Sequence, residues 1–294
     1  MLYIMTYITA KLLVASGFPI PSGVNIEILD LIDPNFKCIF IDKRAKRGGE
    51  AIGGMLKNQA LIVGGSVLAP KGPYKNYIIL GNNHCSNNDE YMKTFVQRPN
   101  GDAGVVLNKN TFWITGNETT EFIRLNKPPL HLKGPKLPFR SHSHSMIQID
   151  SNTVYIIGGI QNGSKSKKTW IIKNPMEKFE IKEGPSLNES RSPCSCAKMK
   201  INGRIFIVVA GGGQSKDDGT FIGPTNSVEL LDTSSLGQSW KMGMFSQKAF
   251  LKKSAILRTN ITATPFSIFI EHNTKKLHIR SQMPAFEIAI TYLL

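Results

Sequence analysis

The chain alternates short apolar, β-branched runs with polar turns, and one unit of that pattern is written twice in succession between residues 134 and 213. The first copy, residues 134–159, reads GPKLPFRSHSHSMIQIDSNTVYIIGG, and the second, residues 184–213, reads GPSLNESRSPCSCAKMKINGRIFIVVAGGG. Gly134 and Gly184, Pro135 and Pro185, and Leu137 and Leu187 share one offset of about 50 residues, a period found in propeller arrays. Each copy opens on Gly-Pro, passes an Arg, alternates through a first strand, turns, and ends an apolar run at paired glycines. SMIQID, the Ser151-Asn152 turn and TVYIIGG predict a hairpin whose second strand is buried on both faces. The glycines meet two needs there: φ > 0 at the strand end and close approach of a neighbouring backbone.

The unit extends along the whole chain. Six repeats are expected, at approximately 1–46, 47–97, 98–140, 141–190, 191–244 and 245–294. The glycines that close the second strands of the first five, Gly17, Gly65, Gly116, Gly159 and Gly212, are spaced by 43 to 53 residues. Ser16-Gly17 and Thr115-Gly116 replace the doublet in the first and third copies. After residue 259 the chain gives PFSIFIEHN, KKLHIRS and FEIAITYLL without Gly-Gly or Trp, which reads either as a worn sixth repeat or as an unrelated tail. No helix is predicted anywhere.

A hairpin ending in a glycine doublet, then a strand with an acidic residue, then an aromatic near the next turn resembles the kelch repeat. The fifth copy carries the likeness best, in GRIFIVVAGGG, SVELLD (Ser227–Asp232) and Trp240; Phe179 takes the aromatic position in the fourth. The resemblance implies an all-β, kelch-type β-propeller of six four-stranded blades, with blades one and six degenerate. It also implies a non-enzymatic module, a scaffold or adaptor that binds a protein partner through loops on one face of the ring, with no catalytic residue and no cofactor. Galactose oxidase and its relatives carry kelch-like blades and a copper site built from Tyr, His and Cys. No Tyr/His pair of this chain can be assigned to that site. The alternative class is a secreted or surface protein of galactose-oxidase type that binds glycans or acts as an oxidase.

Charge narrows the partner. Lys and Arg exceed Asp and Glu to give a net charge of +15, which favours acidic partners. No zinc-finger spacing, recognition helix or interleaving of Arg with aromatics accompanies it, so specific nucleic-acid binding is not expected. No apolar run approaches the 18 residues of a membrane span. Cys38, Cys85, Cys194 and Cys196 are too few and scattered for a disulfide framework. The N-terminal stretch is apolar, but it lacks a basic opening and Lys11 interrupts it, so a cytoplasmic chain is expected rather than a secreted one. The sequons at Asn117, Asn162, Asn188 and Asn260 are no more than chance supplies.

Two pairs at matching places invite a chemical reading. His142-Ser-His144 and Cys194-Ser-Cys196 follow Arg140 and Arg191, and on extended strands each pair would share a face, so a Cys2His2 zinc site is imaginable. The plainer reading is of small and polar residues on a crowded channel wall, and no metal site is assigned. Trp113, Trp170 and Trp240 read as blade packing rather than a sugar platform. In a four-stranded meander, the loop between the second and third strands and the connection to the next blade emerge on the same side. That parity gathers Lys43, Arg44, Lys46, Arg47, Arg140, Lys165, Lys167, Lys168 and Arg191 on one basic face, the expected interface, with Lys109 on the opposite side. The run from Lys43 to Arg47 also resembles a nuclear-localisation or phosphate-binding patch, although solvated loop charge explains it as well.

Overall fold

The computed structural model describes residues 2–5, 11–15, 24–30, 37–42, 51–56, 59–64, 76–80, 90–93, 102–126, 130–201, 203–215, 221–225, 227–234, 238–244, 267–271, 276–281 and 286–291. Every regular element among them is a strand. Five antiparallel sheets have four strands in sequence order. The first runs Leu2–Met5, Lys11–Ala15, Val24–Asp30 and Lys37–Asp42, and the second Ala51–Leu56, Gln59–Gly64, Asn76–Leu80 and Glu90–Lys93. The third is Ala103–Asn108, Thr111–Gly116, Thr119–Arg124 and Leu130–Lys133. The fourth is Ser145–Asp150, Thr153–Ile157, Thr169–Lys173 and Glu180–Glu183, and the fifth Ser195–Ile201, Arg204–Ala210, Ser227–Asp232 and Lys241–Met244. The segments expected in the last repeat form a three-stranded sheet, Ser267–Glu271, Lys276–Ser281 and Phe286–Thr291. The first strands of sheets one to five lie beside one another in succession, the inner lining of a propeller.

The sequence pattern explains the layering. Every residue of Thr111–Gly116 and of Thr153–Ile157 is buried, as a strand sandwiched between neighbouring sheets must be, and these are the continuous apolar runs. The fourth strands, Leu130–Lys133 and Glu180–Glu183, are short, and the second is charged and mostly exposed, which protects the edge of its sheet. The core is a series of inter-sheet layers rather than one centre. Ile52, Leu61, Val63, Phe112 and Ile123 fill the space between sheets two and three. Trp113, Phe122, Leu137, Phe139, Val154 and Ile172 fill that between three and four. Tyr155, Ile157, Leu187, Val209, Leu231 and Trp240 fill that between four and five. A fully buried side chain of this size contributes about 1.5–3 kcal/mol relative to exposure, so each layer outweighs any single surface contact.

The glycine doublets stand where the buried strands end. Gly158 and Gly159 have φ of 61° and 81°, and Gly211 and Gly212 of 70° and 95°. A Cβ on Gly159 would lie 2.7 Å from the carbonyl oxygen of His142, and one on Gly212 would lie 2.6 Å from that of Pro193. Gly211 meets nothing within 4 Å, so there the backbone angle alone selects glycine.

Strand register corrects one alignment of the repeats. Ile157 precedes the first doublet and pairs with Thr169, and Ala210 precedes the second and pairs with Val228. Trp170 therefore matches Glu229. Because Trp170 pairs with Glu183 and Glu229 with Met242, Phe179 matches Gln238 and not Trp240. Trp240, buried between sheets, corresponds to Ile181.

Candidate functional site

The period of the repeat is written by a backbone clamp. The N–H of Gly134 donates to the carbonyl of Thr120 at 2.9 Å, and that of Gly184 to Thr169 at 2.9 Å. The same threonines donate their hydroxyls to the carbonyls of Pro135 and Pro185, each at 2.7 Å. Three residues after each glycine, the N–H groups of Leu137 and Leu187 reach the carbonyls of Glu118 and Lys167 while their side chains are buried. Gly-Pro-x-Leu thus ties each inter-sheet connection to the third strand of the sheet it leaves, and fixes where that connection can go.

One such connection joins the long loop of sheet four in a small second sheet. Ser141–His142 pairs with Ile160–Gln161, which pairs with Ser164–Lys165 across a turn at Asn162 and Gly163. Both turn residues have positive φ, 49° and 88°. The Asn162 N–H donates to the Arg140 carbonyl at 3.0 Å, and the Arg140 N–H returns a bond to Asn162 Oδ1 at 3.2 Å. Below them Trp170 stacks on Phe139 with ring centroids 4.4 Å apart and donates its indole N–H to Gln161 Oε1. Backbone pairing and a part-buried aromatic stack tie these loops together.

This platform brings together Arg140, Lys165, Lys167 and Lys168. Arg140, Lys167 and Lys168 are exposed and Lys165 is half-buried, with its pKa lowered from the ordinary lysine value by that burial. Lys168 meets Glu183 at 3.1 Å and lies over the Trp170 ring. Arg140 and the neighbouring Lys136 share Glu118 at 3.9 and 3.5 Å. Exposed pairs of this kind hold their partners by about 0–1 kcal/mol, so the cations stay available. Lys43, Arg44, Lys46 and Arg47 lie outside the described residues. Lys109 is exposed in the turn between the first two strands of sheet three.

Arg191 departs from the expectation of a loop cation. Its side chain is wholly buried, and Nε donates to Glu229 Oε1 at 2.9 Å, where Glu229 is equally buried. The guanidinium also donates to the carbonyls of Gly211 and Ser227 and to Glu189 Oε2. Glu229 accepts further from the amides of Asn188 and Glu189. The Asn188 side-chain nitrogen is held between Glu229 and the Trp240 carbonyl. Arg191 is thus an internal strut and no interface residue. The signal was in the sequence: the fifth copy has Glu229 where the fourth has Trp170, so only the second Arg of the pair finds a buried carboxylate.

The His-Ser-His and Cys-Ser-Cys pairs do not form a metal centre. Ser143 has φ of 53°, which breaks the extended alternation assumed for the pair. His144 is buried, with its ring nitrogens on Thr115 Oγ1 at 2.6 Å and Ser141 Oγ at 3.0 Å. Burial and the neighbouring His142 lower its pKa to about 3, so it is neutral at physiological pH. The Cys194 and Cys196 thiols point to the carbonyls of Ile157 and Met146, and burial raises the pKa of both. Among the described residues no three His, Cys, Asp or Glu side chains converge as ligands. No described helix is long and apolar enough to cross a membrane.

No family model matches the chain, and no curated protein does. Solved structures do. YjhT is similar over 99% of this chain and 92% of its own, at 11% identity and a TM-score of 0.66. A fungal alcohol oxidase of the AA5 family, solved in complex with copper, is similar over 96% of this chain and 60% of its own, at 12% identity and a TM-score of 0.61. At such identities the likeness is one of fold, and fold alone does not carry function. The sheet order, the inner lining of first strands and these two neighbours make the chain an all-β protein of the kelch-type β-propeller fold.

Proposed function

We propose that the chain belongs to the kelch family and is a non-enzymatic interaction module of the cytoplasm. Its acidic protein partner docks on the platform formed by the connection into sheet four and the long loop of that sheet. The observation that carries the reading is the small sheet of Ser141–His142, Ile160–Gln161 and Ser164–Lys165, which holds Arg140, Lys165, Lys167 and Lys168 at one end of the blade. A surface already ordered loses little freedom on binding. Its cations, of which Arg140 meets Glu118 and Lys168 meets Glu183 in exposed pairs, attract an acidic segment over a Debye length of about 8–10 Å.

The test is affinity capture on the immobilised full chain at low salt with identification by mass spectrometry. The wild type is compared with the Lys165→Glu, Lys167→Glu, Lys168→Glu triple variant and with Lys109→Glu. A partner retained by the wild type and Lys109→Glu and lost by the triple variant supports the platform. The same partner on all three chains, or its loss from Lys109→Glu alone, places docking elsewhere. Stoichiometric copper in the purified chain would favour an oxidase instead.

A further inference from the structure

The long loop of sheet four carries two serines in one basic run, Ser164-Lys165-Ser166-Lys167-Lys168, and the fold treats them differently. Ser166 is only 9% exposed; its N–H donates to the Gly159 carbonyl at 2.9 Å, and its hydroxyl accepts from the Lys168 amide at 3.0 Å. Ser141, two strands away in the same small sheet, is buried with its hydroxyl 3.0 Å from His144 Nδ1. Ser164 is exposed, and its hydroxyl makes no hydrogen bond with any described residue.

Ser164 also stands where a folded chain can present it. It follows the Asn162-Gly163 turn and opens Ser164–Lys165, an end strand of the three-stranded small sheet. A Cβ on Gly163 would meet nothing within 4 Å, so the approach along the turn is open. Strand pairing ties Ser164 to Gln161 and Lys165 to Ile160, so letting the segment enter an enzyme's groove disturbs far less than opening a blade would. Charge acts next. Lysines stand one, three and four residues after the hydroxyl, and the Arg140 backbone is bonded to Asn162 in the same turn. That setting attracts an acidic groove and, once a phosphate is in place, supplies its counter-charges. Sheet three shows the same accommodation on a smaller scale: its turn carries Glu118, which Arg140 and Lys136 already meet.

We propose that Ser164 is a phosphorylation site, the acceptor for a lysine-directed serine kinase that uses ATP, and that its phosphate withdraws the platform from the acidic partner. The Ser164 Oγ attacks the γ-phosphorus, the bond from that phosphorus to the bridging oxygen breaks, the hydroxyl proton passes to a base of the kinase, and ADP leaves. The phosphoserine carries a charge of about −1.5 to −2 at neutral pH, set among Arg140, Lys165, Lys167 and Lys168, so it offsets about half of their positive charge. This control rests on reading the platform as the docking face for an acidic segment.

The full chain is incubated with ATP, magnesium and the catalytic domain of a lysine-directed serine kinase, and phosphate is mapped by mass spectrometry on wild type, Ser164→Ala and Ser166→Ala. Ser164 carries the phosphate in the wild type and in Ser166→Ala, and most of the incorporation is lost from Ser164→Ala, an exposed change that keeps the fold. The probe for docking is a labelled oligo-aspartate peptide, titrated at low salt and read by fluorescence anisotropy. Phosphorylation weakens its binding at least about tenfold, as does the Lys165, Lys167, Lys168 triple reversal, while kinase treatment of Ser164→Ala leaves it unchanged. No phosphate, or phosphate on Ser166 or elsewhere with Ser164 unmodified, overturns the site and leaves the platform standing. Phosphate on Ser164 with the affinity unchanged overturns the control of docking. A wild type that does not bind the peptide, or a triple variant that binds it equally well, overturns the platform reading and this control with it.

Discussion

Arg191 and Glu229 face each other at 2.9 Å with neither side chain exposed, and the carboxylate also accepts from the amides of Asn188 and Glu189 in the connection into sheet five. Removing one partner of a buried pair leaves the other charge desolvated, at a cost of about 3–5 kcal/mol. Glu229→Gln is therefore expected to lower the free energy of unfolding by about 3 kcal/mol, the lower figure because Glu189 still touches the guanidinium. Glu118→Gln, which removes only exposed contacts to Lys136 and Arg140, changes it by less than about 1 kcal/mol. Urea titration of the two variants checks both values, and equal effects would place Arg191 in solvent.

Gly159 and Gly211 separate two reasons for glycine. Gly211→Ala imposes only an unfavourable positive φ, about 1–2 kcal/mol, since nothing lies within 4 Å of the new methyl. Gly159→Ala adds a collision with the backbone of His142 and His144, each 2.7 Å away, and should cost at least about twice as much. Thermal unfolding of the pair tests this, and matching melting temperatures would contradict the close approach.

His144 makes stability depend on pH. Its folded pKa of about 3 lies below the ordinary 6.5, so the unfolded chain binds the extra proton. Its contribution is complete above about pH 6.5 and falls as the pH drops toward 3. Between pH 7 and pH 5 the loss amounts to about 2 kcal/mol. Urea midpoints of wild type and His144→Gln at the two pH values check the sign: the variant is the less stable at pH 7 but loses less on acidification.

On the platform, reversing Lys165, Lys167 and Lys168 should act on encounter before it acts on residence. Once the partner is identified, stopped-flow association at low salt should slow about tenfold or more and lose much of its salt dependence, with a smaller change in the dissociation rate. A change confined to dissociation would mean that these lysines make close contacts rather than steering the approach.

Much of this was legible in the chain. The glycine doublets, the continuous apolar second strands and the Gly-Pro-x-Leu landmarks each answer a local demand of backbone or burial, and such demands leave residues that stand out. Arg140 and Arg191 look alike because what separates them lies 30 to 38 residues downstream, in Trp170 against Glu229. His142 and His144 looked like a pair on one strand face because alternation was assumed where Ser143 turns left-handed. Trp240 and Phe179 looked equivalent because counting from one landmark ignores how the last two strands are paired. Non-local partners, single backbone angles and strand register are the three things that spacing alone does not encode.

The joints between sheets have a consequence for how such a chain can drift. Gln148 donates to the carbonyl of Leu107 at 2.8 Å, and Lys198, at the matching place one blade on, to that of Ile149 at 3.3 Å. Cys196 reaches the carbonyl of Met146, and Ser145 that of Cys194. Each of these grips addresses the main chain of the neighbour, which every amino acid provides. A side chain on the receiving strand can be exchanged without loosening the hold, and only the donor is under constraint. At these joints neighbouring blades need not match one another residue by residue. That freedom allows an architecture to outlast its text, down to the 11% and 12% identity that separates this chain from its neighbours in fold.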